Sequence, residues 1–267
     1  MRKAIITLRQ QVSRVFANIK QREHPKMAFR ILYRDDFLVA IDKPAGFYVH
    51  PPENQKERIS DSVNCLKILR NQIQTYVSPV HRLDRATSGV LLFSLDSSVT
   101  AQVARQFSEG SVQKTYYALV RGWTDEKGVI DSPLSRESTR SSDAVFEKVS
   151  ALTEYERVAK IEYPLPLGRY STARFSLVRV TPKTGRMHQI RRHFAHLRHP
   201  IIGDTVYGDG VQNRFFREKM AKSILFLKAY QLEFEHPLFK RKIQLRSRWG
   251  GLWHKLFDDL GVCPFEN

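Results

Sequence analysis

One acidic residue, Asp84, lies between two arginines, Arg82 and Arg85, shortly before an apolar run at residues 90–93. A carboxylate with guanidinium groups nearby is favoured in its ionised form. An ionised carboxylate is a poor general acid near neutral pH, but it can act as a nucleophile or as a base. We therefore predict that Asp84 is the reactive group of a site and that the strand-like run behind it fixes its position.

A second concentration of charge covers residues 182–199, which are rich in arginine and histidine. The pattern predicts a helix over residues 187–197, opened by a turn at residues 181–185. Cations near the start of a helix are disfavoured by its dipole, so substrate phosphates or Asp84 are expected to compensate them. The candidate anion contacts in this stretch are Lys183, Arg186, Arg191, Arg192 and Arg198.

A third stretch, residues 113–120, is predicted to be a strand. On a strand, Lys114 and Tyr116 share one face and Tyr117 points to the other. One of the two tyrosines therefore faces inward, towards a pocket or towards the core.

Metal and nucleotide cofactors are not expected. His193, His196 and His199 are spaced by three, so two of them could share a metal on a helix. The arginines among them would repel a cation, and no cysteine or acid supplies the remaining ligands. The sequence contains no glycine-rich phosphate loop, and Ser88 has no nucleophile-elbow motif around it.

The composition points to a polyanionic partner. The chain has 267 residues, and 44 Lys and Arg oppose 27 Asp and Glu, for a formal net charge of +17. This excess favours nucleic acid over a membrane surface. Two cysteines without C-x-x-C spacing, Cys65 and Cys263, indicate a reducing compartment, and no apolar run is long enough for a membrane span. We expect a cytoplasmic protein.

The chain divides into two parts. Residues 1–27 are predicted to be a basic amphipathic extension, with one helix over residues 1–26. Four roles are open for this helix: an RNA-contacting arm, a docking helix, a transit-like presequence or an ordinary surface helix. Residues 28–267 form the body, with a polar loop at residues 136–143. Many strands with helices among them, without strict alternation, predict an α+β fold with a mixed or antiparallel sheet.

The three stretches occur in the order HRLDRATSGVLL, QKTYYALVRG and PKTGRMHQIRRH. Together they resemble the RluA family of pseudouridine synthases, which convert uridine in RNA to its carbon-linked isomer. Residues 31–36, 41–46 and 201–204 are similar to the family as well. Residues 28–260 are most similar to the branch that modifies uridine 65 of tRNA, with Ala86 where that branch usually has Pro.

The resemblance implies a mixed, mainly antiparallel sheet in two halves with the active site in the cleft between them. It implies that Asp84 is the nucleophile or base, that Arg82 enters the RNA stack and that Arg186 pairs with Asp84. Tyr116 and Ile190 would contact the flipped uracil. The expected RNA contacts are Arg85, Lys114, Lys183, Arg191, Arg192 and Arg198.

The resemblance further implies a tRNA substrate and no cofactor, and we expect a monomer. Two other functions stay open at this point. One is modification of ribosomal RNA by the same core motifs, and the other is RNA binding by a catalytically silent protein on the same scaffold.

Overall fold

The computed structural model describes residues 27–49, 60–135, 147–167 and 171–262. The predicted helix at residues 1–26, the loop at residues 136–143 and Cys263 lie outside the described residues. Among the helices that are described, none is long and apolar enough to cross a membrane.

The described residues form one large sheet and a small two-stranded ladder. The strands are β1 Arg30–Arg34, β2 Leu38–Lys43, β3 Ser78–Pro79, β4 Ser88–Ser94, β5 Gln113–Arg121, β6 Lys127–Asp131, β7 Leu134–Ser135, β8 Lys148–Val149, β9 Leu152–Tyr163, β10 Ala173–Pro182, β11 Leu227–Glu235 and β12 Lys242–Arg246. The large sheet has the order β1-β2-β4-β11-β5-β10-β9-β6, with β3 added to β4 and β12 to β11. β4 and β11 are parallel, whereas the other described pairs are antiparallel. The predicted α+β class with a mixed, mainly antiparallel sheet is confirmed.

Five α-helices are described: α1 Cys65–Ile73, α2 Ser97–Glu109, α3 Gln189–His196, α4 Gly210–Met220 and α5 Gly251–Leu260. Local chemistry sets their ends. The backbone N–H of Ser98 donates to the Asp96 carboxylate at the start of α2, and Gly110 closes that helix with a φ of 76°. Helix α3 begins two residues later than predicted, because His188 adopts a left-handed φ of 51°.

Side chains alternate between the two faces of the sheet, so two layers of helices can each bury a separate core. We call the face that carries Tyr116 the front face and the one that carries Tyr117 the back face. Helices α1 and α3 pack on the front face, against residues such as Phe93 and Val180. Helices α2, α4 and α5 pack on the back face, against residues such as Leu92 and Phe175.

Candidate active site

Asp84 lies in a tight turn between β3 and β4. The backbone N–H of Thr87 donates to the carbonyl oxygen of Asp84 at 3.1 Å, which closes the turn just before β4 begins. The carbonyl oxygen of the next residue, Arg85, accepts hydrogen bonds from the Gly46 N–H at 2.7 Å and from Lys43 Nζ at 3.2 Å. The residues at and after the end of β2 therefore brace the loop that presents Asp84.

Strand pairing brings Tyr116 close to this loop. Ala229 of β11 pairs with Gly89 of β4 on one side and with Tyr116 of β5 on the other. Gly89 has a φ of 124°, and a Cβ atom built on it would lie 2.0 Å from the carbonyl oxygen of Ala229. Glycine is required at position 89, because any side chain would push β4 away from β11 just after the Asp84 loop.

Replacing Gly89 with Ala is therefore expected to destabilise the fold by about 3 kcal/mol or more, since backbone strain and a backbone clash act together. Denaturant unfolding measures the loss. Gly251→Ala is the matched control, because nothing lies within 4 Å of its Cβ position at the start of α5. Equal stability of the two variants would contradict the close approach.

A buried arginine, Arg191 on α3, links Asp84 to a second carboxylate. Its Nε and Nη2 atoms donate to the two oxygens of Asp204 at 2.7 and 2.9 Å, and its Nη1 donates to Asp84 Oδ2 at 3.4 Å. Arg191 is 5% exposed. Burial acts to raise the pKa of Asp204, but hydrogen bonds from Arg191 and from the backbone amides of Tyr207 and Val206 outweigh it and lower that pKa. The guanidinium is thus fixed by Asp204 and reaches Asp84 with its remaining arm.

This arrangement corrects one prediction. Arg186 does not pair with Asp84; it is exposed, and its Nε donates to the carbonyl oxygen of Ser150 at 3.0 Å. Arg191 holds that position, and its predicted RNA contact stays a prediction. The reason is the start of α3 at Gln189, which leaves Arg186 in the preceding turn and directs Arg191 inward.

The arginines beside Asp84 in sequence do not bind it either. The Arg85 Nε donates to the carbonyl oxygen of Gly46 at 3.1 Å, its Nη1 donates to Tyr48 Oη at 3.1 Å, and its guanidinium lies 4.8 Å from the centre of the Tyr48 ring. Arg82 is exposed and has no hydrogen bond or ion pair with the described residues. The cation that contacts Asp84 comes instead from 107 positions further along the chain.

His188 and Tyr207 also border the site, and sequence reasoning gave neither a role. His188 Nε2 lies 3.9 Å from Asp84 Oδ2, and its Nδ1 lies 3.1 Å from Tyr207 Oη. The two rings meet edge to face at 5.7 Å. His188 lies inside the PKTGRMHQIRRH stretch that resembles the family, but no spacing in the sequence connects it or Tyr207 to Asp84.

Tyr116 and Ile190 form an apolar wall near Asp84. Tyr116 is partly buried where two core clusters meet, and Ile190 on α3 belongs to one of those clusters. Burial raises the pKa of Tyr116, and the negative charge of Asp84 raises it further. Tyr116 is therefore a neutral phenol at physiological pH and offers a ring face beside a carboxylate.

The other basic residues predicted to contact RNA differ in their partners within the protein. Lys183 forms an ion pair with Glu154 at 2.8 Å, and Arg192 donates to Ser135 Oγ at 2.8 Å and to its carbonyl oxygen at 3.1 Å. Lys114 is half-buried, its Nζ donates to a carbonyl oxygen at 3.2 Å, and burial lowers its pKa. Arg198 is exposed, with a φ of 62°.

Two of the three histidines considered for a metal site have other partners. His193 Nδ1 lies 2.9 Å from Thr153 Oγ1, and its Nε2 lies 3.0 Å from a carbonyl oxygen. His199 Nδ1 lies 2.7 Å from the carbonyl oxygen of Arg121. In the described part of the chain, no group of three or more His, Cys, Asp or Glu is arranged to hold a metal ion.

A groove of about 890 Å³ opens on the back face and is lined by residues that include Tyr117, Tyr230 and Arg246. Because Tyr116 and Tyr117 point to opposite faces, the sheet separates this groove from Asp84. The groove is not part of the candidate site, although it is a sizeable concavity.

Comparison with known proteins agrees with the fold. A family profile described as RNA pseudouridylate synthase matches residues 37–196, a range that includes Asp84, Tyr116 and Arg191. The chain belongs to this family, as predicted.

Two curated relatives are similar along nearly their whole length. The chain is 43% identical over 235 residues to tRNA pseudouridine synthase C of Vibrio cholerae, covering 86% of this chain and 95% of the relative. It is 45% identical over 238 residues to tRNA pseudouridine synthase C of Haemophilus ducreyi, covering 88% and 97%. The solved structure of Human RNA Pseudouridylate Synthase Domain Containing 4 aligns with a TM-score of 0.64 at 26% identity, covering 87% of this chain and 93% of that one.

Proposed function

We propose that this chain is a cytoplasmic, monomeric tRNA pseudouridine synthase that isomerises uridine 65 in the T arm. Three observations support a tRNA substrate: the names of the relatives, their coverage along nearly their full length, and the net charge of +17. Uridine 65 follows from the resemblance of residues 28–260 to the branch that acts there. The excess positive charge supplies affinity for phosphates without reading sequence.

The observation that carries the proposal is the position of Asp84. Its carboxylate lies at the front face where the β4 and β11 strands meet, and Arg191 contacts it from a buried position. The charge of Asp84 raises the pKa of Tyr116, and Ala229 of β11 pairs both with Tyr116 and with Gly89, five residues after Asp84. A partly exposed carboxylate with an arginine partner and an aromatic neighbour suits attack on, or proton removal from, a nucleoside brought to the site.

The reaction breaks the N1–C1′ glycosidic bond, turns the uracil and joins ring carbon 5 to the ribose. Carbon 5 gives up its proton and N1 gains one, so the product is an isomer with no change of redox state. Asp84 can begin it by attacking the anomeric carbon or by taking a proton from the ribose. Both routes need an ionised carboxylate, which the Arg191 ion pair favours. Tyr116 and Ile190 would keep the detached uracil in place, since an apolar wall beside the carboxylate limits its escape.

The target base must leave its stack to reach Asp84, at a cost of a few kcal/mol. Arg82 is suited to occupy the vacated space because it is exposed, lies two positions from Asp84 and is bound to none of the described residues. An arginine plane can stack on the neighbouring bases.

Replacing Arg82 with Ala is accordingly expected to slow single-turnover isomerisation of folded tRNA about 100-fold, with affinity changed by less than about threefold. Arg105→Ala, an exposed arginine on back-face helix α2, is the control and keeps the wild-type rate. An equal loss in rate and affinity would identify Arg82 as a simple phosphate contact.

The function is tested by mapping pseudouridine in RNA from cells with and without the gene. Loss of one pseudouridine, at position 65 of tRNA, supports the proposal. A loss confined to ribosomal RNA would reassign the substrate, and an unchanged map would identify a catalytically silent RNA-binding protein.

A further inference from the structure

Lys43, the last residue of β2, has a side chain that is buried without a carboxylate bonded to it. It is 0% exposed, and its Nζ donates to the carbonyl oxygens of Pro44 at 3.1 Å and of Arg85 at 3.2 Å. An ammonium group in the interior is costly unless a negative charge compensates it. The compensating charge must therefore lie beyond hydrogen-bond distance.

Two titratable groups interact electrostatically with Lys43: Cys65 at the start of α1 and Asp84 in the loop before β4. Burial raises the pKa of the Cys65 thiol to about 11, so this group is neutral at physiological pH. From the sheet, Lys43 is paired with Gly89, which has no side chain. Asp84 is the negative charge that remains to balance Lys43.

The charges of Arg191, Asp204 and Asp84 together also require a further cation. Arg191 contacts Asp84 through one nitrogen at 3.4 Å, but two shorter hydrogen bonds commit it to Asp204. Arg191 and Asp204 thus nearly cancel, and Asp84 needs a further cation. His188 Nε2 lies 3.9 Å from Asp84 Oδ2, and Tyr116, whose pKa burial raises, supplies no positive charge there. Lys43 completes a neutral set of two cations and two carboxylates.

Lys43 also fixes the position of the loop. Its hydrogen bond is to the carbonyl oxygen of Arg85, the residue that follows Asp84, and the Gly46 N–H donates to the same oxygen at 2.7 Å. A single buried side chain therefore supplies both a charge behind the carboxylate and a restraint on the peptide that carries it.

We infer that Lys43 is a positioning residue for the proposed isomerisation. Its protonated side chain balances the charge of Asp84 and holds the Asp84 loop in place. The inference rests on the proposed function for its kinetic consequence. The coupling of Lys43 to Asp84 stands on the structure alone and can be measured separately.

A pH dependence follows. Burial lowers the pKa of Lys43 to about 8, and the negative charge of Asp84 opposes that shift. The protonated form predominates below that pH and is lost above it. The rate of isomerisation is expected to fall as the pH rises through about 8.

The test is the pH profile of single-turnover isomerisation of tRNA, from about pH 6 to about pH 10, for the wild type, Lys43→Arg and Lys43→Met. Lys43→Met is expected to be about 100-fold slower at neutral pH, with no fall at alkaline pH. Lys43→Arg is expected to be about tenfold slower than the wild type, because the guanidinium is larger than the ammonium group. Its rate is expected not to change with pH over the same range, because arginine stays protonated throughout.

Lys228→Met is the matched control. Lys228 is also buried, at 3% exposed, and its Nζ lies 3.8 Å from Asp42, but it points to the back face. It is expected to keep the wild-type profile. A wild-type profile in Lys43→Met, or the wild-type midpoint in Lys43→Arg, would overturn the inference. If Lys43→Met fails to fold, the Arg variant decides.

The coupling is also measured without any activity. NMR titration of isotope-labelled lysine follows the Lys43 ammonium in the wild type and in Asp84→Asn. Loss of the neighbouring negative charge is expected to lower the midpoint by about one pH unit. An unchanged midpoint would overturn the inference even if the protein is an active synthase, whereas a shifted midpoint in an inactive protein would reject only the proposed function.

Discussion

Replacing Asp84 with Asn is expected to reduce single-turnover isomerisation of tRNA at least about 10⁴-fold. Asparagine can neither attack the anomeric carbon nor accept a proton from the ribose. It has the same shape as aspartate, and its carbonyl oxygen can still accept the hydrogen bond that Arg191 donates to Asp84 Oδ2. The fold and the surface that binds RNA are therefore retained, and the affinity for tRNA is expected to stay within about threefold of wild type.

Release of tritium from 5-tritiated uridine in tRNA measures the rate, and filter binding measures the affinity. Asp36→Asn is the control, because Asp36 is exposed in the turn between β1 and β2. Wild-type activity in the Asp84 variant would remove this residue from the mechanism. Loss of binding together with activity would show that the variant had damaged the RNA surface.

Replacing Arg191 with Lys is expected to lower the free energy of unfolding by about 3 kcal/mol and the rate of isomerisation about 100-fold. Lysine keeps the charge but has no planar fork, so it cannot bind both oxygens of Asp204 and still reach Asp84. One buried carboxylate is left without its partner. Denaturant unfolding and single-turnover kinetics measure the two effects.

Arg192→Lys separates this geometry from the effect of substituting any arginine of α3. Arg192 is adjacent in sequence and half-buried, and within the described part of the chain its guanidinium binds neutral oxygens of Ser135. It is expected to lose less than about 1 kcal/mol of stability. Equal losses in the two variants would show that the fork between Asp84 and Asp204 has no special role.

Elements with strong local signals could be predicted from the sequence. Helix α2 occupies residues 97–109, and Asp96 and Gly110 mark its two ends in the sequence. The sequence pattern was too weak to predict the edge strand β6, which has five residues including Gly128. It was also too weak to predict the two-residue strands β3, β7 and β8. Such strands depend on their neighbours in space, which periodicity does not report.

The site was predictable to the level of its motifs but not of its contacts. The resemblance identified the stretch around Asp84 and the strand with Tyr116, and β11 brings the two together although it lies more than a hundred residues further along. The choice between Arg186 and Arg191 depended on the residue at which α3 begins. The φ of His188 sets that start, and no spacing rule gives it.

The burial of charged side chains could not be predicted from the sequence. Lys43 and Asp204 are both buried, although charged residues are rarely buried without partners. Their partners, the carbonyl oxygen of Arg85 and the side chain of Arg191, are brought to them only by the folded sheet and α3. Resemblance marked both positions, and only the structure shows what they contact.

The crystal structure of the Asp84→Asn variant bound to tRNA tests the central claim most directly. The account predicts one uridine outside its helix on the front face, with its ribose against the side chain at position 84. The uracil would lie against Tyr116 and Ile190, and Arg82 would fill the vacated stack. RNA bound in the back-face groove around Tyr117, or a target uridine remote from position 84, would contradict it.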